Sequence, residues 1–324
     1  MILGNYRTPA RASTKPHTTI LSAARLMRER IAIVLVFATI AITVPVFAQT
    51  FDFDFKGSLG EGRFQRYVAP LANPLFNETP YITTELRPIY FYQEIPDDFL
   101  TDGGHINVVA AEIRIALTER LGFIASKDGY AVIDFDQALP DESGFANISL
   151  GLKYAVLNDP QNETIVTAGI EYEPPIGNLR TAGISLQGDG DGLVDLFVTG
   201  ATLYGRLGVQ GSAGFNLAVD DDHDSSMFHY SLHFDYEAAD NFYPLVEFNG
   251  FTTIDEGNRT PIDNEGVDLV NFGAVDSGTV VTGTVGARYR INDNLQIGAG
   301  YEKPLGGRED ILDSRAYFDL VLSY

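Results

Sequence analysis

The end of the chain constrains the fold more than any other stretch. From Thr279 to Tyr324 apolar and polar positions alternate with the period of an extended strand, in which successive side chains point to opposite faces. In the last run Ala316, Phe318, Leu320, Leu322 and Tyr324 share one face, and Arg315, Tyr317, Asp319, Val321 and Ser323 the other. Val281, Gly283, Val285, Ala287 and Tyr289 likewise alternate with Thr282, Thr284, Gly286, Arg288 and Arg290. After the turn at Ile291 to Asn294, Leu295, Ile297, Ala299 and Tyr301 alternate with Gln296, Gly298, Gly300 and Glu302. One face suits lipid and the other water, the pattern of a transmembrane β-barrel strand.

The same pattern recurs from Thr83 onward. Strands are expected over 83–94, 105–118, 121–134, 144–157, 163–174, 193–204, 206–219, 226–237, 241–253, 279–290, 294–304 and 314–324, twelve in all. Each has about the ten residues that a tilted membrane strand needs. Every second link is short: Glu119-Arg120, Asn158 to Gln161, Gly205, Ala238 to Asp240, and Asn292-Asp293. The links between are longer and acidic, at 95–104, 135–143, 175–192, 220–225, 254–278 and 305–313. An even strand count with short turns at one end and long loops at the other predicts an all-β, antiparallel, up-and-down barrel over 83–324. A soluble sandwich or propeller is the competing fold.

Tyr324 at the terminus, with Phe318, Leu320 and Leu322 at alternate positions before it, resembles the assembly signal of Gram-negative outer-membrane barrels. The segment Arg120 to Tyr130 is similar to uncharacterised transporter-like, porin-like barrel proteins of the same bacteria. The resemblance implies the cell outer membrane as location, with outer-membrane lipid and the barrel-assembly machinery as partners.

Residues 1–48 read as a cleaved signal peptide: basic residues up to Arg28 and Arg30, an apolar run from Ile31 to about Val46, and the small-residue site Val46-Phe47-Ala48 before Gln49. Translation could start at Met1 or at Met27. Residues 49–82 lack periodicity, and Gly57, Gly60, Gly62, Pro70, Pro74 and Pro80 interrupt them. They are expected to form a periplasmic extension, the preferred reading, or a plug folded into the barrel. Removing 1–48 takes away six basic side chains and one acid, leaving 16 basic and 43 acidic side chains and a net charge of −27. That excess argues against nucleic acid as a partner. The chain has no cysteine, which excludes disulfides and thiolate chemistry. No cofactor is expected.

With the apolar face towards lipid, the lumen receives Glu85, Arg87, Glu112, Arg114, Lys153, Glu171, His229, His233, Asp235, Glu247, Arg288, Arg290, Glu302 and Asp319. Two readings stand level. Either these charges pair and close the interior, because an unpaired buried charge is costly, or they line a polar pathway. The outer acids Asp220, Asp221, Asp222 and Asp224, around His223, are a weak candidate for Ca²⁺ or another divalent cation, and a solvated acidic loop is the simpler reading. Ser231 lies between His229 and His233 with Asp235 beyond, but alternate positions on one strand are about 7 Å apart, too far for a direct nucleophile–base bond. The expected role is therefore that of a channel or transporter for passive passage of small solutes, not an enzyme. A closed structural or adhesion-type barrel, and less so an outer-membrane hydrolase, are the alternatives. The mature protein should begin near Gln49, which N-terminal sequencing of the membrane-extracted chain checks; retention of Met1 or Met27 would refute the leader reading.

Overall fold

The computed structural model describes residues 53–324, so the leader expected over 1–48 falls outside the described residues. Fifteen strands form in chain order: β1 (Glu85–Ile95), β2 (Gly104–Ala116), β3 (Leu121–Phe135), β4 (Glu142–Phe145), β5 (Ser149–Asp159), β6 (Thr164–Glu173), β7 (Arg180–Thr181), β8 (Ile184–Ser185), β9 (Leu193–Tyr204), β10 (Leu207–Ala218), β11 (Ser226–Tyr236), β12 (Phe242–Asp255), β13 (Thr279–Asn292), β14 (Leu295–Pro304) and β15 (Ser314–Ser323). Neighbours pair antiparallel in the order β2-β1-β15-β14-β13-β12-β11-β10-β9-β6-β5-β3, and the β2/β3 pairing closes the ring. The result is a closed barrel of twelve strands without edges. β4 continues the β5 edge of β3, and β7 with β8 forms a hairpin in a long loop.

The strand expected unbroken over 144–157 is interrupted between β4 and β5. The cause is Asn147, which turns inward: its amide nitrogen donates to Glu173 Oε1 at 2.8 Å and to the Gln187 carbonyl at 2.9 Å. Its backbone N–H donates to Gln187 Oε1 at 2.6 Å, so a loop side chain replaces the ladder partner.

The pleat sorts residues as the alternation requires. Leu152, Val198, Leu232, Val246, Val285 and Phe318 are exposed on the outer wall, while Lys153, Thr199, His233, Glu247, Thr284 and Asp319 beside them are buried within. Tyr204, Tyr236, Phe242, Tyr289 and Tyr324 are exposed near the short-turn end, as in the aromatic girdle that meets a membrane interface.

The barrel is filled from both ends. Residues 64–83, almost all buried, run through the lumen at the short-turn end and centre. Phe64, Tyr67, Ala69, Tyr81 and Ile82 pack on Ala116, Ala155, Ile165, Ala201 and Val321 of the wall. From the other end the 256–278 loop, expected as an outer acidic loop, folds inward, and Leu269, Val270 and Phe272 join Phe99, Leu179 and Leu186 in one cluster. Replacing Val285 with Arg on the lipid-facing wall should destabilise the barrel by about 2–4 kcal/mol in denaturant titrations into vesicles, since a charge there sits near mid-membrane; an unchanged midpoint would contradict the assignment of faces.

Candidate functional site: the charged lumen

The lumen wall carries its charges on strands facing one another across a narrow space, so each group must find its partner there. Arg87 on β1 donates through Nε to Asp319 Oδ2 at 2.6 Å and lies 3.3 Å from Glu112 on β2. Arg288 on β13 holds both oxygens of the same Asp319 at 2.7 Å. One carboxylate thus bridges two guanidiniums, a charge-assisted and bidentate arrangement of the strong kind. Gly298 opposite Asp319 makes room for it: a Cβ there would meet Asp319 Oδ1 at 2.5 Å and Arg288 Nη1 at 2.7 Å.

The remaining donors of these arginines go to the segment inside. Arg87 Nη2 donates to the Leu71 carbonyl at 3.0 Å, and Arg288 donates to the carbonyls of Ala69 and of Pro70, the latter at 2.8 Å. Glu247 on β12 accepts from the N–H groups of Leu71 and Ala72 at 2.7 and 2.6 Å and contacts His233 Nδ1 at 2.6 Å. The extended 69–72 backbone, with no ladder of its own, therefore has its polar groups satisfied by wall charges. Gly286 and Gly300 let it approach, because a Cβ at either would strike Leu71 Cδ2, at 2.9 and 2.5 Å respectively.

A second cluster centres on Glu78 of the same segment. Arg114 on β2 donates to Glu78 at 2.8 Å and to Glu85 at 2.8 Å, and its Nη2 lies 2.8 Å from Glu112. Lys153 on β5 contacts Glu78 at 2.6 Å and donates to the carbonyls of Thr79 and Tyr81. Burial alone would push the Glu78 carboxyl up, but Arg114 and Lys153 override it and hold the group at about 2, below its ordinary 4.5. Nearer the short turns, Arg66 pairs with Asp235 at 2.6 Å, and its guanidinium lies 5.2 Å from the Tyr243 ring centroid.

The third cluster ties down the long loop. Arg315 on β15 grips Asp268 with two bonds of 2.9 and 2.8 Å and Gln93 with two more. Tyr317 donates to Glu302 at 2.6 Å, and Glu302 also accepts from Asn249 and Thr282.

Of the lumen residues expected from sequence, Glu85, Arg87, Glu112, Arg114, Lys153, Glu171, His229, His233, Asp235, Glu247, Arg288, Glu302 and Asp319 are all buried in the barrel. Arg290 stands apart, half-buried at the short-turn end, where it donates to Asn241 at 3.2 Å. The groups around Ser231 are all otherwise engaged. Its hydroxyl accepts from Asn73, His229 contacts Asp195 at 2.8 Å and stacks on Phe76, and His233 lies between Glu247 and Asp235. In the acidic loop Asp224 is buried and accepts from the N–H groups of Asp189 and Gly190, and Asp220 contacts His223 at 3.1 Å. Among the described residues no group of three or more His, Asp or Glu side chains is placed to hold a metal ion.

Sequence reasoning missed Glu78, Asp268 and Asp195. Glu78 and Asp268 lie where no periodicity assigns a face. Asp195 had a signal, since it alternates with the outward Val194 and Leu196, but Leu193 and Phe197 on its own face disguised a lumen position.

With this geometry established, comparison with solved structures fixes the fold class. An outer-membrane channel from Pseudomonas putida F1 superposes with a TM-score of 0.53 at 15% identity, over 80% of this chain and 100% of that one. The fold is that of an outer-membrane β-barrel. The NanC porin gives a TM-score of 0.45 at 7% identity over 74% of this chain and 100% of that one. Outer-membrane phospholipase A from Escherichia coli gives 0.38 at 11% identity over 74% and 97%. No protein-family model and no curated protein sequence matches the chain.

Because the Glu78 carboxyl is held down in the folded state, its contribution to stability is complete above 4.5 and lost as pH falls through about 2. Limited proteolysis across that window should show residues 64–83 becoming accessible on acidification, and Glu78→Gln should be accessible at every pH. Equal protection of the wild type at pH 7 and pH 2 would argue against this coupling.

Proposed function

We propose that this protein is an outer-membrane channel for small solutes whose lumen, in the state described, is occupied by residues 64–83. The observation that supports this most directly is where the wall charges go. Arg87, Arg288, Glu247, Arg114 and Lys153 direct bonds to main-chain groups or to Glu78 of a segment that belongs to no strand. A barrel built only as a solid post could fill itself from its own wall with apolar side chains, which pack without desolvating ions. Here the wall is charged and the filling is a separate, proline-bearing length of chain. Taken away, it leaves a polar passage with cations and carboxylates on facing strands, the kind of lining that lets a hydrated solute through. The likeness in fold to a channel accords with this reading, and the engaged Ser231, His229 and His233 favour it over a hydrolase.

The test is conductance in planar bilayers. Arg288→Met removes three tethers to the segment and Asp319, and a chain lacking 53–82 removes the segment itself. Both should raise single-channel conductance or open time several-fold over the wild type, the deletion more. Silent recordings from both, with the folded barrel verified by heat-modifiable migration on gels, would leave the closed structural barrel as the better account.

A further inference from the structure

Beside the filled centre lies a small cavity of about 10 Å³ between Phe76 of the inner segment and the wall strands β3, β5, β6, β9 and β10. That is room for about one water molecule. Three acids border it. Glu173 is matched by Lys127 at 2.8 Å, and Asp195 uses Oδ1 on His229. Glu171 differs from the other buried acids on the wall strands, because no basic side chain pairs with it among the described residues. Its Oε2 accepts from the hydroxyls of Ser126 and Ser149 at 2.7 and 2.8 Å, and Oε1 accepts no hydrogen bond among the described residues. The residue is 4% exposed. Asn216 on β10 also lines the cavity, is 7% exposed, and its amide makes no hydrogen bond among the described residues.

An ionised carboxylate buried without a counter-charge is strongly disfavoured, and a buried amide without a partner adds to the penalty. Both side chains line the same water-sized space, and one occupant would meet both needs. We infer that the cavity is a binding site for one small monovalent cation of ammonium or potassium size, held by Glu171 Oε1, Asn216 Oδ1 and the hydroxyl oxygens of Ser126 and Ser149. The oxygen donors suit a hard cation, and Lys127, which also lines the cavity, is taken up by Glu173. The site deepens the channel reading, since it would give the passage a cation-holding step, but binding itself does not depend on conduction.

The experiment uses the full mature chain in detergent, with the midpoint of heat-induced unfolding read by gel migration. Chloride is kept at fixed ionic strength while choline, too large for the cavity, is exchanged for potassium or ammonium. The midpoint should rise and saturate with potassium or ammonium and stay flat in choline, because a ligand that binds only the folded state stabilises it. Glu171→Gln should abolish the rise, and Asn216→Ala should weaken the apparent affinity by about tenfold, one lost hydrogen-bonding partner's worth. If Glu171→Gln does not fold, Asn216→Ala and Ser149→Ala carry the test. A rise that choline reproduces, or one that survives in all folded variants, overturns the site; it would mean that Glu171 is protonated and needs no ion. A saturable rise in a barrel that never conducts would uphold the site and remove the channel reading instead.

Discussion

The structure depends on one electrostatic constraint: an ion taken from water into a narrow protein interior must meet its opposite at bonding distance. The Asp319 carboxylate, shared by Arg87 and Arg288, is the clearest instance. Strands from opposite ends of the barrel sequence are brought into register around it, β1 as the neighbour of β15 and β13 across β14. Removing one guanidinium leaves the carboxylate half-compensated, a loss of several kcal/mol by the usual measure of broken buried pairs. Replacing the whole set with apolar groups could be neutral for stability. Keeping the charges therefore points to use, and a wall able to face water as well as protein is the use that fits.

The same constraint explains how a segment without regular secondary structure can be held so firmly. Residues 69–72 cannot satisfy their backbone by a helix or a ladder, and the lumen has no sheet edge to offer them. Wall side chains take that role, with Glu247 reading two N–H groups and the two arginines reading three carbonyls. This mode of holding is reversible in principle, because water can stand in for each partner once the segment moves, whereas an apolar plug would leave a dry wall behind. The long loop at the opposite end follows the same rule through Arg315 and Asp268.

Symmetry between the ends is not complete. The region around Glu171, Asn216 and Asp195 lies off the axis of the arginine clusters, and there acids outnumber bases. The centre thus pairs its charges one with another, while this flank sets three acids, Glu171, Glu173 and Asp195, around the single base Lys127.

What the sequence determined by itself is whatever follows from period-2 alternation. Twelve strands, their short and long links, the outward Leu and Val positions and most of the inward charges, though not Asp195, were legible, because a strand in lipid has only two faces and a wrong register would put Arg288 or Asp319 into hydrocarbon. Only the tertiary structure decided which of the inward charges are bound to which, and what fills the space among them. Residues 64–83 and the 256–278 loop show no periodicity to read, since their conformation is set by partners on strands up to 244 residues away, as for Tyr317 and Asn73. The break at Asn147 was equally hidden, for it answers to Glu173 and Gln187 and not to its own neighbours. Alternation is a local property and pairing in the lumen is not, so the wall could be drawn from the chain alone while its contents could not.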